Sequence, residues 1–417
     1  MGIRHARVTA AGWVLGAGCL VLSAQQQQPP PRFSSSIERI VIDVQVVDNQ
    51  GRPLTQLGVA DFEVLFDRQP RTIASAQLVV AADVETVSAG AAAPSGRSVT
   101  SAAGDSAGGR DFVIAIDEAS FRTIDAPAVV RAAQSFVKRL APNDRVGLFT
   151  FPVSPSYFAL TPDHTSVSMA LGRVVGTFDS PRSQFHLSPA EVIDILAGDT
   201  ELIRAIARRE CLPQPIYQTD CIRAIPGDAN IIVEAYESQA SASIAAMRTL
   251  LAALNQDPHR KTVVLLSGGL LSSDRVGGRP DIATIVDRIG AEAAKADANL
   301  YVLHVDSSFL QAFSPASGGA AAVRSQMRES TALASGLDRL AGTAGGALLR
   351  VDAGGEERAF SRILRETSAY YVLSVEPVEQ DRDGRLHYIT VKTNVRGAEI
   401  RARRTVIIPR RGGGPPA

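Results

Sequence analysis

The sequence predicts an α/β protein: a doubly wound, mainly parallel sheet, flanked by a small β-sandwich built from N- and C-terminal strands. Three observations predict it. Short apolar runs (Phe112 to Ile116, Val146 to Phe151, Thr262 to Leu266, Leu300 to Val305) have the composition of strands buried on both faces. Segments with apolar residues at helical spacing alternate with these runs, the order of βα units. Residues 37–82 and 368–409 instead alternate apolar and polar side chains, as half-buried strands do.

Residues 1–24 read as a secretory signal, because Arg4 and Arg7 precede an apolar run from Ala10 to Leu22 that ends in Ser23-Ala24. That run is too short and too glycine-rich to span a membrane. Residues 25–36 are a linker that begins with a glutamine and proline run. Within 37–82, Ile40, Ile42, Val44 and Val46 mark one strand, Phe62, Val64 and Phe66 a second, and Thr72 to Val80 a third. Residues 83–110 are mostly Ala, Gly, Ser and Thr, the composition of a flexible linker.

The α/β region spans 111–367. Pro127 opens a helix with Val129, Ala133, Phe136 and Val137 on one face, and Thr165 to Val174 forms another. Residues 177–228 are an insertion. Its capping box, Ser188-Pro189-Ala190-Glu191, opens a helix expected to reach Arg209, and Asp228 is expected to cap a long helix ending at Leu254. Pro280 starts a helix carrying Ile282, Ile285, Val286 and Ile289. Leu333, Leu337 and Leu340 mark a helix that stops at Gly345-Gly346, residues 347–351 a last strand, and Phe360, Ile363 and Leu364 a closing helix. Residues 368–409 return to β structure, and 410–417 form a tail. Each β segment holds about three strands, too few to bury a core alone. Together they suffice for one sandwich into which the α/β domain is inserted.

The chain has 417 residues, with 43 basic and 43 acidic side chains. A net charge of zero argues against nucleic acid or an acidic membrane as partner. With Cys19 in the signal, Cys211 and Cys221 remain, and a pair so close in an exported chain is expected as a disulfide. These features predict a secreted or periplasmic protein of a bacterial envelope that is not an integral membrane protein once the signal is removed.

Motifs set in an enzymatic context are lacking. The sequence has no G-x-G-x-x-G, no G-x-x-x-x-G-K-[ST] and no H-E-x-x-H, and its one G-x-S-x-G string, Gly104 to Gly108, falls in the 83–110 linker and not at a strand exit. The residue two after Asp117 is Ala119, where an aspartyl phosphotransferase needs a second Asp. The six histidines are scattered, and His304, within a strand run, reads as a satisfied core residue. The chain is therefore expected not to be an enzyme. Open α/β sheets bind ligands past the C-terminal ends of their strands. The first such end carries Asp117, Glu118, Ser120 and Arg122, the candidate binding residues.

The runs FVIAID, VGLFTF, VVLLSGG and LYVLHVD, in this order, resemble the von Willebrand factor type A domain over about residues 111–367. The flanking stretches VQVVDNQGRPLTQLGVADFEVLFDRQPRTI, LAGTAGGALLRV, YYVLSVEP and GRLHYITVKT are similar to a group of exported bacterial proteins, well populated in acidobacteria, that carry this domain. The resemblance implies a divalent cation above the sheet, held by an Asp-x-Ser-x-Ser loop, a Thr from a second loop and an Asp after the fourth strand. Such hard oxygen donors suit Mg²⁺. Asp117 matches the first Asp, but the Ser positions are Ala119 and Phe121, and the later Asp is Gly268. Thr161 and Thr165 are candidates for the Thr, and Glu118, Ser120 and Asp274 are the remaining oxygen donors. Asp117 and Ser120 are thus the metal candidates of a degenerate site. The expectation is a non-catalytic protein with no required cofactor. It would bind another protein or envelope macromolecule, adhesion-fashion, through the top of the sheet beside the 177–228 insertion. The alternatives are a binder dependent on Mg, Mn or Ca through a rearranged site, and an envelope hydrolase.

Overall fold

The computed structural model describes residues 39–81, 109–152, 156–211, 215–257, 259–273, 275, 277–306, 319–351 and 356–410. The expected signal, the 25–36 linker, nearly all of the 83–110 linker, Asp274 and the tail after Arg410 lie outside these residues. In chain order the strands are β1 (Ile40–Val47), β2 (Phe62–Phe66), β3 (Gln69–Val80), β4 (Asp111–Asp117), β5 (Arg145–Phe151), β6 (Ser156–Thr161), β7 (Lys261–Ser267), β8 (Ala298–Val305), β9 (Leu348–Val351), β10 (Ala369–Glu376), β11 (Leu386–Thr393), β12 (Glu399–Ala402) and β13 (Thr405–Ile407). The helices are α1 (Ala126–Val137), α2 (His164–Leu171), α3 (Pro189–Leu196), α4 (Thr200–Glu210), α5 (Pro215–Leu254), α6 (Ala283–Lys295), α7 (Gly319–Thr343) and α8 (Glu356–Glu366).

The apolar runs assemble as a six-stranded sheet in the order β6-β5-β4-β7-β8-β9. β4 is buried along its whole length and pairs in parallel with β5 and β7. Successive side chains of a strand point to opposite faces, so β4 serves two cores. Phe112, Ile114 and Ile116 pack under α1, α2 and α8, with Val129, Phe136, Val167 and Phe360. Val113 and Ala115 pack under α5, α6 and α7, with Ile244, Leu251, Ile289 and Leu337. Helices on both faces make the sheet doubly wound. β6 departs from the parallel pattern and runs antiparallel to β5 at the edge. It passes close enough that a Cβ on Gly147 would lie 2.9 Å from the Phe158 carbonyl.

The two β segments do combine, but as one sheet and not as a sandwich. The order is β12-β1-β10-β3-β2-β11-β13, antiparallel throughout. The reason is interleaving. β10 pairs with both β1 and β3, and β2 pairs with both β3 and β11, so strands from the two ends alternate within one layer. All seven strands contribute to a single apolar cluster that includes Ile42, Phe66, Tyr371, Leu373, Ile389 and Val406. The sheet curls about that cluster, so a second layer is not needed.

The curled sheet meets the parallel sheet beside the residues that lead into β7 and β8, the end opposite Asp117. A buried polar network lies there. The Tyr301 hydroxyl is 2.7 Å from Gln45 Oε1 and 3.0 Å from Glu366 Oε2. Glu366 is fully buried, accepts from Arg362 Nε at 2.7 Å and lies 3.5 Å from Arg401 Nε. Arg260 pairs with Asp43 and stacks on Tyr370, 3.6 Å from the ring centroid. Removing one member of a buried ion pair strands the other, at about 3–5 kcal/mol. Glu366→Ala is accordingly expected to lower unfolding free energy by roughly that amount, read from urea denaturation. A loss under about 1 kcal/mol would mean that water already satisfies the arginines.

The insertion departs from expectation in two places. The helix opened by the Ser188–Glu191 capping box stops at Leu196, because Gly198 takes φ +88° and Asp199 starts α4 by accepting from Leu202 N. Asp228 does not begin a helix either. It lies within α5, and its carboxylate accepts from Ser183 Oγ, Gln184 N and Phe185 N, pinning the loop before α3. Cys211 and Cys221 form a disulfide joining the end of α4 to α5. In the chain-entropy account, a loop this short is worth about 3 kcal/mol. Phe185, Val192, Ile195, Ile206, Ile225 and Val233 give the insertion its own small core.

Candidate functional site

β4 delivers Asp117 to the top of the sheet, and the chain then makes a single 3-10 turn, Glu118–Ser120. This turn is stitched to its neighbours mostly through backbone. The Ser120 hydroxyl donates to the Asp117 carbonyl at 2.7 Å and accepts from Gly268 N at 2.8 Å. The Glu118 carboxylate accepts from Val175 N at 3.2 Å, and its carbonyl accepts from Thr177 N and Thr177 Oγ1. Gln239 on α5 donates to the Ala119 carbonyl at 2.9 Å. Arg122 is held by Asp125 through two hydrogen bonds of 2.8 and 3.2 Å.

The Asp117 carboxylate lies under this turn, 4% exposed as a residue. Ser243 on α5 donates to it, 3.1 Å from both oxygens, and Ser267 Oγ lies 3.5 Å from Oδ2. Burial pushes its pKa up to about 7, against the lowering effect of the serine hydroxyls. Burial raises Glu118 as well, partly offset by the Val175 amide.

These residues do not fit a resident Mg²⁺, which requires near-octahedral oxygen coordination. Phe121 is buried hydrocarbon where a hydroxyl is needed. Gly268 has no room for a carboxylate, since even a Cβ there would lie 2.2 Å from the Ser120 carbonyl oxygen. The loops after β4 and β7 therefore touch backbone to backbone. The Ser120 hydroxyl is committed to both loops. Thr161 pairs with Val146 at the far end of β5, and Thr165 lies beside His164, whose Nε2 contacts the Asp144 carbonyl at 2.8 Å. Neither threonine is bonded to Asp117; Thr177 is bound to Glu118, and Thr150 stands opposite Ile116 on β5.

A different acidic group, Asp111, Asp257 and His259, gathers at the opposite end of the sheet, with possible ligand atoms within 4.8 Å of one another. Arg145 occupies that position, ion-paired to Asp111 and 3.4 Å from both Asp257 Oδ2 and His259 Nδ1. A guanidinium already supplies the positive charge.

Above the stitched loops lies a cleft of about 330 Å³. Ser120, Gln239, Ser243 and Gly268 line it, together with Phe178, Tyr236, Arg122, Asp306 and Glu329. The Phe178 and Tyr236 rings are 6.4 Å apart and tilted by 32°. Of the four residues singled out from the sequence, Ser120 and Arg122 line the cleft, whereas Asp117 and Glu118 support it from outside the lining. Ser243, Ser267, Tyr236 and Glu329 were not singled out. For Ser243 a signal existed: Gln239 and Ser243 lie one turn apart beside the apolar stripe of Ala240, Ile244 and Met247. His304 is a core residue, fully buried with Nε2 3.1 Å from the Gly268 carbonyl, and its Nδ1 finds no hydrogen-bond partner among the described residues. Burial lowers its pKa.

No protein-family model and no curated protein matches this chain. Among solved structures it is similar to the pilus adhesin SpaC of Lactobacillus rhamnosus GG in its open conformation, with TM-score 0.29 and 10% identity over 71% of this chain and 43% of that one. It is also similar to the ArnB paralog VWA2 of Sulfolobus acidocaldarius, with TM-score 0.28 and 9% identity over 73% of this chain and 66% of that one. The chain thus spans less than half of the adhesin and just under two thirds of VWA2.

Proposed function

We propose that this chain is an exported, non-catalytic binding module of the adhesion or scaffold kind, recognising another protein or envelope macromolecule at the cleft above Ser120 and Gly268 without a divalent cation. One observation carries the reading: the Ser120 and Gly268 loops are joined directly, Gly268 N to Ser120 Oγ at 2.8 Å, where the resemblance would seat the ion. Recognition then falls to the shape and side chains of the cleft. The Cys211–Cys221 disulfide supports export. No described helix is long and apolar enough to cross a membrane. The hydrolase alternative finds little support, because among the described residues no histidine lines the cleft and the Ser243 hydroxyl is engaged by Asp117.

Calorimetry with Mg²⁺, Mn²⁺ and Ca²⁺ tests the cation-free part. Wild type and Asp117→Ala are both expected to show no binding heat at millimolar cation, and chelator should leave the melting temperature unchanged. Heat present in wild type and lost in Asp117→Ala would favour the rearranged metal site instead.

A further inference from the structure

We propose that the cleft takes a basic side chain, lysine or arginine, presented by a partner protein. The inference rests on the cation-free reading above and adds the charge of the ligand to it. A resident divalent cation would attract a carboxylate. With the ion's place closed, the sign of the charge offered by the cleft reverses.

The charged groups lining the cleft are Arg122, Asp306 and Glu329. Arg122 is already gripped by Asp125. Glu329 is half-buried on α7 and has no ion pair with a basic residue among the described residues. Burial raises its pKa, and Asp306 and Glu191 beside it add to that rise. Among the described residues, Arg328 and Arg275 are directed to Asp194, and Arg209 to Glu191. A partly desolvated carboxylate with no cation paired to it among the described residues is unfavourable until one joins it. Phe178 and Tyr236 add aromatic surface, whose negative ring faces favour an ammonium or guanidinium group. Gln239 and Ser120 offer polar atoms beside them. The volume, about 330 Å³, lies at the small end of ligand sites and suits one long side chain. An acidic side chain would meet like charge.

Fluorescence anisotropy with labelled tetralysine, tetra-arginine and tetraglutamate peptides, in chelator at fixed salt, tests the proposal on the full chain. A basic peptide is expected to bind, and Glu329→Gln to weaken it by about tenfold or more. Tyr236→Leu should weaken binding by several-fold. Glu201→Gln, on the exposed face of α4, should change it by less than about twofold. Glu329→Asp keeps the charge and should retain most of the affinity, which separates loss of charge from loss of fold. Basic peptides binding no tighter than tetraglutamate, no binding of any peptide at millimolar concentration, or indifference to Glu329→Gln would overturn it. Tetraglutamate binding in chelator would overturn the basic ligand and leave the cation-free reading standing. Tetraglutamate binding only with Mg²⁺ would overturn both.

Discussion

Asp117→Asn is expected to gain stability over wild type as pH rises, and to hold a constant advantage above neutrality. The Asp117 carboxyl is fully enclosed and its pKa is raised from 3.8 to about 7, chiefly by burial. The folded protein therefore holds this proton more tightly than the unfolded chain does. The stability due to the buried neutral acid is complete below about pH 3.8 and is lost progressively as pH rises through about 7. Asparagine has nearly the same shape, can still accept from Ser243, and does not titrate. The difference between variant and wild type should grow by about 1.4 kcal/mol per pH unit between those limits and reach about 4 kcal/mol. Glu118 is raised too, but it is common to both proteins and drops out of the difference. Urea denaturation of both at pH 4.5, 6 and 8, values chosen to span roughly this window, measures it. A difference that stays flat with pH would show that Asp117 ionises without cost, as it would if a cation or water reached it.

Restoring the missing carboxylate by Gly268→Asp is expected to damage the fold rather than create a metal site. A Cβ at residue 268 would lie 2.2 Å from the Ser120 carbonyl oxygen, 3.1 Å from its carbon and 3.3 Å from the Phe121 ring. The first of these is backbone and cannot rotate away, so the two loops must part and give up the bond from Gly268 N to Ser120 Oγ. Gly268→Ala alone should cost roughly 3 kcal/mol or more, at the upper end of overpacking penalties. The aspartate should cost more, since its charge would enter a site that already holds Asp117. The checks are melting temperatures for both variants and Mg²⁺ calorimetry on Gly268→Asp. A Gly268→Ala protein as stable as wild type would mean that the loops separate easily and leave space for an ion.

The strands of the parallel sheet were legible because their cause is local. Phe112 to Ile116 and Thr262 to Leu266 must be buried on both faces, and only a sheet covered twice offers that. Pairing between distant segments was legible only in outline. The period-two pattern of 37–82 and 368–409 implies strands that need partners, and it is equally consistent with two stacked sheets or one curled one. The choice came from β10 inserting between β1 and β3, a matter of register between segments about 300 residues apart that no local pattern encodes. The break at Gly198 was visible as a glycine inside a helical run, yet Asp228, a good capping residue, was drawn into tertiary hydrogen bonds instead.

The site divides in the same way. Set against the loop pattern that the resemblance implies, the sequence already showed Ala119, Phe121 and Gly268 where oxygen donors would stand, and a side chain without oxygen cannot ligate a hard cation in any fold. Only the tertiary structure decided what fills the place left: Ser120 and Gly268 closing on each other, Ser243 and Ser267 covering Asp117, and a cleft bounded by Tyr236 and Glu329. Those groups lie far apart in the chain and meet through the packing of α5 and α7 against the sheet, and that packing depends on the long-range sum of many small contacts.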